Sequence, residues 1–276
     1  MVGKKAIGLL VAIMVVASAG CLGGKAIETN TVTGSEHAGS PEKTATNTNT
    51  PTGGLKKAGD IDLDKIVGEI ETYSYHHYAT MDLNVTTTEG NITMQSNVSM
   101  LISEKGYVDI VRKRALVNST VTILPDNLTE NVLQIVIGNK TYLKTSFGVN
   151  VVNFTALWDS HPLKILKETI KEKPLAKYTE NGTTVLVYSP PEDVLLPLAE
   201  GYLGVSGSNL TITDAALEIR VANDTISLIK LVYSLMVKTS SDGAFGHIEV
   251  VEVGTWKSLV RITSINERRE VKPPST

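Results

Sequence analysis

The sequence predicts an α+β fold, in which an antiparallel sheet is accompanied by a few helices. Three observations carry this. Long stretches alternate apolar and polar residues with period two, as in Ala79, Met81, Leu83 and Val85, the pattern of a strand with one buried face. Short turn signals join these stretches, so neighbouring strands pair antiparallel. Three further stretches space their apolar residues as helices do.

Taken in order, residues 60–74 open with Asp62 and Asp64 and place Leu63, Ile66, Val67 and Ile70 on one helical face; an amphipathic helix is expected there. Strands are expected at 75–88, 91–103, 107–113, 116–124, 132–137 and 141–145, forming a meander. A helix follows over 161–173, beginning at His161-Pro162, and a hairpin over 177–188 turns at Asn181-Gly182. Residues 190–202 read as another helix with Pro191 near its first turn. Strands at 210–221 and 225–238 turn across Asn223-Asp224, and strands at 247–253 and 256–262 close the sheet.

Composition limits the functional classes. Of 276 residues, 42% are hydrophobic and 20% charged, typical of a chain that folds. A net charge of -3 lacks the strongly basic face that a nucleic-acid partner requires. The single cysteine, Cys21, excludes an intrachain disulfide or a thiolate metal cluster.

Residues 1–20 read as a signal peptide: Lys4 and Lys5 precede an uncharged stretch over 6–17, then the small residues Ser18, Ala19 and Gly20. The stretch is shorter than the about 20 apolar residues that cross a bilayer. Ser18-Ala19-Gly20-Cys21 resembles the lipobox of prokaryotic lipoproteins, with Ser18 where leucine is usual. The resemblance implies a lipid on Cys21 that holds the chain on the extracytoplasmic face of the cell membrane; an incidental cysteine behind an ordinary signal peptide is the alternative. Residues 21–59, rich in Thr, Ser, Asn, Gly and Pro, are expected to be a flexible tether. One domain with a short polar C-terminal tail is expected over 60–276.

Asn-x-Ser/Thr sequons occur at Asn84, Asn91, Asn97, Asn118, Asn127, Asn139, Asn153, Asn181, Asn209 and Asn223, most of the asparagines after residue 60. Chance gives roughly three at the Ser and Thr content of this chain. Thr-rich strands with Asn turns would also raise the count. Strand parity and turn signals put them on the polar face or in turns, where a glycan is tolerated. Dense sequons beside a lipobox fit an archaeal surface lipoprotein.

The order helix, many strands, helices, strands resembles the periplasmic lipoprotein carrier and its relatives, among them the mycobacterial lipid-binding lipoproteins. The resemblance spans 60–262. It is carried by the opening helix through Ile70, the two long first strands, Gly138-Asn139-Lys140-Thr141-Tyr142-Leu143, Trp158 leading into the helix from Leu163, and Asp214-Ala215-Ala216-Leu217-Glu218-Ile219 followed by Ile226-Ser227-Leu228-Ile229-Lys230. It implies a curved antiparallel sheet forming an unclosed barrel with helices packed in its concave face, and by analogy the binding or transfer of a lipid or other hydrophobic ligand. Met81, Leu83, Val85, Met94, Val98, Met100 and Ile102 are the candidate apolar lining of that face. Either the helices around Ile165, Leu166, Leu195, Leu196 and Leu198 fill it as a plain core, or they leave a pocket for apolar chains. The other functional class is a non-catalytic interaction or sensor domain with an envelope protein as partner.

No catalytic residue, metal ligand or cofactor is expected. HExxH, Gly-x-Ser-x-Gly, P-loop and dinucleotide motifs are absent. His76 and His77 are adjacent on a strand, so they face opposite ways and cannot share a metal. Gly204-Val205-Ser206-Gly207-Ser208 lacks the second glycine of a nucleophile elbow.

Overall fold

The computed structural model describes residues 61–153, 156–205, 209–243 and 246–274. The segments read as signal peptide and tether, Cys21 and Ser206-Gly207-Ser208 lie outside the described residues. The strands are β1 (Thr72–Glu89), β2 (Ile92–Asp109), β3 (Arg114–Leu124), β4 (Leu128–Ile137), β5 (Lys140–Thr145), β6 (Gly148–Val152), β7 (Ala176–Glu180), β8 (Thr183–Tyr188), β9 (Leu210–Ala222), β10 (Thr225–Gly243) and β11 (Gly246–Ile265). The helices are α1 (Leu63–Gly68), α2 (Leu157–Ser160), α3 (Pro162–Thr169) and α4 (Glu192–Leu203).

All eleven strands join one antiparallel sheet in the order β6-β5-β4-β3-β2-β1-β11-β10-β9-β8-β7. The first and last strands of the chain are neighbours in its middle. Its edges, β6 and β7, do not pair, so the sheet stays open. Inward residues of β1 to β4 and β8 to β11 share one core with Leu63 of α1, Leu166 of α3 and Leu195 of α4, so the sheet wraps around the helical layer. Each large apolar side chain buried there contributes about 1.5–3 kcal/mol.

The α+β expectation is corrected. Helices of 6, 4, 8 and 12 residues stand beside strands of 18 to 20, so this is a β-sheet protein with a small helical layer. The opening helix ends at Gly68 because Thr72-Tyr73-Ser74-Tyr75, β-branched and aromatic, extends β1 instead. Two expected breaks vanish as well. Gly106 lies inside β2 and Gly254 inside β11, and each is a point of close approach. A Cβ at Gly254 would stand 2.1 Å from the Asp82 carbonyl oxygen across the β1–β11 pair.

The turns at Asn181-Gly182 and Asn223-Asp224 form where expected, all four residues at positive φ, the geometry that tight hairpins require. Beyond β11 the tail is fastened to the sheet. The Asn266 side chain accepts from the Glu71 and Thr72 amides at 2.8 and 3.3 Å and donates to the Glu69 carbonyl at 3.0 Å. Val271 then packs with Tyr107 and Ile135 in a small cluster apart from the main core.

Candidate functional site

A cavity of about 110 Å³ lies between the inner face of the sheet and the helices. Most of its wall is apolar, including Val117, Val121, Leu143, Ile165, Leu198 and Leu217, and α2, α3 and α4 roof it through Leu157, Ile165 and Tyr202. One side of the wall is polar. Strand parity turns His77 inward with Ala79 and Met81, and Glu104 inward with Met100 and Ile102. Register then places His77 opposite Glu104, and Glu104 opposite Ser119.

The Glu104 carboxylate receives three hydrogen bonds. His77 donates from Nδ1 to Oε2 at 2.8 Å, Ser119 from Oγ to Oε1 at 2.9 Å, and Tyr202, brought over by α4, from its hydroxyl to Oε1 at 3.1 Å. The His77 and Glu104 side chains are only 6% and 11% exposed. Burial alone would raise the Glu104 pKa, but the hydrogen bond and charge of His77, then the Ser119 and Tyr202 hydroxyls, hold it below the usual carboxylate range. Burial, reinforced by the charge of Glu104, pushes the Tyr75 and Tyr202 hydroxyls far up, so both stay neutral. Tyr75 has room because of Gly106: a Cβ there would stand 2.2 Å from its ring. Behind the cluster Trp256 is fully buried, with the Tyr202 ring centroid 4.7 Å and the Tyr233 ring centroid 6.1 Å from its own.

His161 lies at the other side of the cavity as the N-cap of α3. Its Nδ1 accepts from the Lys164 amide at 3.3 Å, so the partner 3.0 Å away, the Tyr73 hydroxyl, is a donor as well. Burial, then the charge of Lys164, lowers its pKa to about 4; the ring is neutral at pH 7.

Of the expected lining, Met81, Leu83, Met100 and Ile102 are buried core residues, Val85 and Val98 are half-buried, and Met94 is 56% exposed. None of the seven lines the cavity. They share its face, but the cavity sits further along the strands, at the level of Tyr75 and His77. All ten sequon asparagines are exposed, and Asn84 and Asn97 pair across β1 and β2 with side chains hydrogen-bonded at 3.1 Å. Trp158 donates to the Gly138 carbonyl at 3.0 Å, tying α2 to the β4–β5 turn.

Known proteins add little. No family model matches the sequence, and no curated protein does. Similar solved structures include a DUF1329 family protein from Desulfovibrio piger, at 9% identity over 73% of this chain and 88% of that one, with a TM-score of 0.22. A β-barrel-like protein of the DUF1849 family from Brucella abortus matches at 9% identity over 71% of this chain and 100% of that one, with a TM-score of 0.23. Similarity of this degree carries no argument, and the architecture of this chain stands on its own strand pairings.

Sequence reasoning missed Glu104, Ser119 and Tyr202. The signal for Glu104 was present: it is a carboxylate on the parity of Met100 and Ile102, the face expected to be apolar. Its partners were not legible, because Ser119 and Tyr202 meet it only through strand register and the return of α4. The opposite face of the sheet carries a second concavity, an open groove of about 510 Å³ lined by Tyr78, Leu101, Val232, Leu259, Lys230 and Lys257.

Proposed function

We propose that this domain binds a lipid or other hydrophobic ligand between its sheet and its helices, without catalysis, on the extracytoplasmic face of a membrane to which Cys21 is lipid-anchored. The observation that carries this is the mainly apolar cavity under α2, α3 and α4. At about 110 Å³ it is smaller than the about 300–1,000 Å³ of sites that enclose a drug-sized ligand. An apolar chain therefore enters only as the helices yield. They are suited to yield: α2 has four residues, α3 eight, and α4 contains Pro197, and helices this short hold their shape only by packing. Burying the chain supplies about 25 cal/mol per Å² of apolar surface removed from water. Native mass spectrometry of delipidated protein with added membrane lipids tests the reading. Stoichiometric adducts are expected, and their absence across neutral, zwitterionic and anionic lipids would defeat it.

The groove on the opposite face favours a second reading, an interaction or sensor domain. Tyr78 and Leu101 are 52% and 41% exposed there. Stable capture of one envelope protein, lost on Tyr78→Ser with Leu101→Ser and unaccompanied by lipid uptake, would favour it.

A further inference from the structure

Resting on the ligand-binding reading, we infer that the Glu104 cluster selects the polar end of the ligand: it accepts a group that donates a hydrogen bond, a hydroxyl or an ammonium, and rejects an anionic end. Three features of the cavity lead there.

The first is charge. The described residues of the lining include no lysine or arginine. Among the described residues its ionisable groups are Tyr75, His77, Glu104, His161 and Tyr202; the two tyrosines and His161 are neutral at pH 7, and Glu104 is the only carboxylate among them. His77, the one group facing Glu104 that can offset its charge, already spends its Nδ1 donor on Oε2, so an anionic end at the remaining lone pair of Oε2 meets an acceptor of like charge and gains no donor from it.

The second is acceptor capacity. A carboxylate offers about four lone-pair sites, and Glu104 uses three: two on Oε1, for Ser119 and Tyr202, and one on Oε2, for His77. Oε2 keeps the capacity for one more donor.

The third is the link to opening. Glu104 and Ser119 belong to the sheet, whereas Tyr202 rides on α4. If α4 moves to admit a chain, its bond to Oε1 breaks, and a buried charged acceptor loses a partner, a penalty heavier than the net value of the bond. A ligand with a donor at its polar end restores the bond; an alkane cannot, and an anion adds repulsion. The same carboxylate that holds α4 closed therefore makes opening conditional on the ligand's chemistry.

The test uses the full chain, delipidated, with four probes of one chain length: decanol, decylamine, decanoate and decane. Affinities are read by native mass spectrometry at pH 7. Decanol or decylamine should bind at least about tenfold more tightly than decane, with decanoate the weakest, and the preferred donor tells hydroxyl from ammonium. Glu104→Gln should lift the rejection of decanoate and lower decylamine affinity. Equal affinities for all four probes on the unaltered protein would overturn the inference while leaving the ligand-binding reading intact. Binding of none would remove both. The comparison on the unaltered protein needs no variant to fold, and Tyr202→Phe, which frees one acceptor site, should strengthen decanol or decylamine binding if the cluster acts as argued.

Discussion

His161 should make the domain acid-labile. Its ring is buried at 6% exposure, caps α3, and accepts from Tyr73 and Lys164 through Nδ1. The unfolded chain takes up a proton near pH 6.5, while the folded chain resists until about 4. Between those values the unfolded state binds the extra proton, so stability is complete above about 6.5 and falls as pH drops toward 4. At about 1.4 kcal/mol per unit the loss approaches ~3 kcal/mol over the window and ~2.5 kcal/mol by pH 4.5. His161→Asn keeps a side-chain acceptor at the N-cap and does not titrate there. Urea unfolding at pH 7.5 and 4.5 should show the unaltered domain losing about 2–3 kcal/mol more than the variant. Glu104, held low, and Glu252, which burial pushes up, contribute equally to both proteins and cancel in the difference. Equal losses in the two would refute the assignment of a buried, neutral His161.

Gly254→Ala should destabilise the fold by about 1–3 kcal/mol or more, because the obstacle to its Cβ is the Asp82 backbone; a urea midpoint unchanged from that of the parent would contradict it. Tyr233→Phe should be neutral or stabilising by up to about 1 kcal/mol, since the buried hydroxyl meets no partner among the described residues; a loss above that size in thermal unfolding would reveal one. Asn84 and Asn97 are cross-strand neighbours, so a folded chain accommodates at most one bulky glycan on the pair. Trypsin releases Asn84, Asn91 and Asn97 together on the peptide over 66–105; its intact mass should show no more than two glycans, and a triply modified peptide would disprove the exclusion.

Most of the sheet was legible because strand parity is local. The odd residues of β1 and the even residues of β2 face inward along the stretch where apolar residues mark that face, and two-residue turns at positive φ fixed two of the hairpins. Two expected breaks were not there. The gaps expected at 104–106 and 254–255 contain Gly106 and Gly254, yet one glycine leaves space for a tyrosine ring and the other for a neighbouring backbone, and both causes lie on strands other than the glycine's own. The expected lining failed to meet the cavity for a reason of length. A strand of 18 residues spans about 60 Å, far more than helices of 4 to 12 residues cover. Parity names the inward face but not the level along the strand at which the helices cross, so Met94, near the far end of β2, stays in water.

That dependence on parity makes register the quantity on which both faces rest. A slip of one residue between β1 and its neighbours would turn His77 to solvent, away from Glu104, and bring Asn84 inward, since the side-chain period is two. Alternation opposes that slip but leaves open a slip of two residues, which preserves parity. Here the irregularities supply what the repeat lacks. Gly254 sits opposite Leu83, where any larger residue would meet the Asp82 carbonyl, and the pairing of β1 with β11 shifts once, between Ser74 and Tyr75. Gly106 opposite Tyr75 fixes β1 against β2 in the same way. These two glycines are thus the points that hold His77 of β1 level with Glu104 of β2.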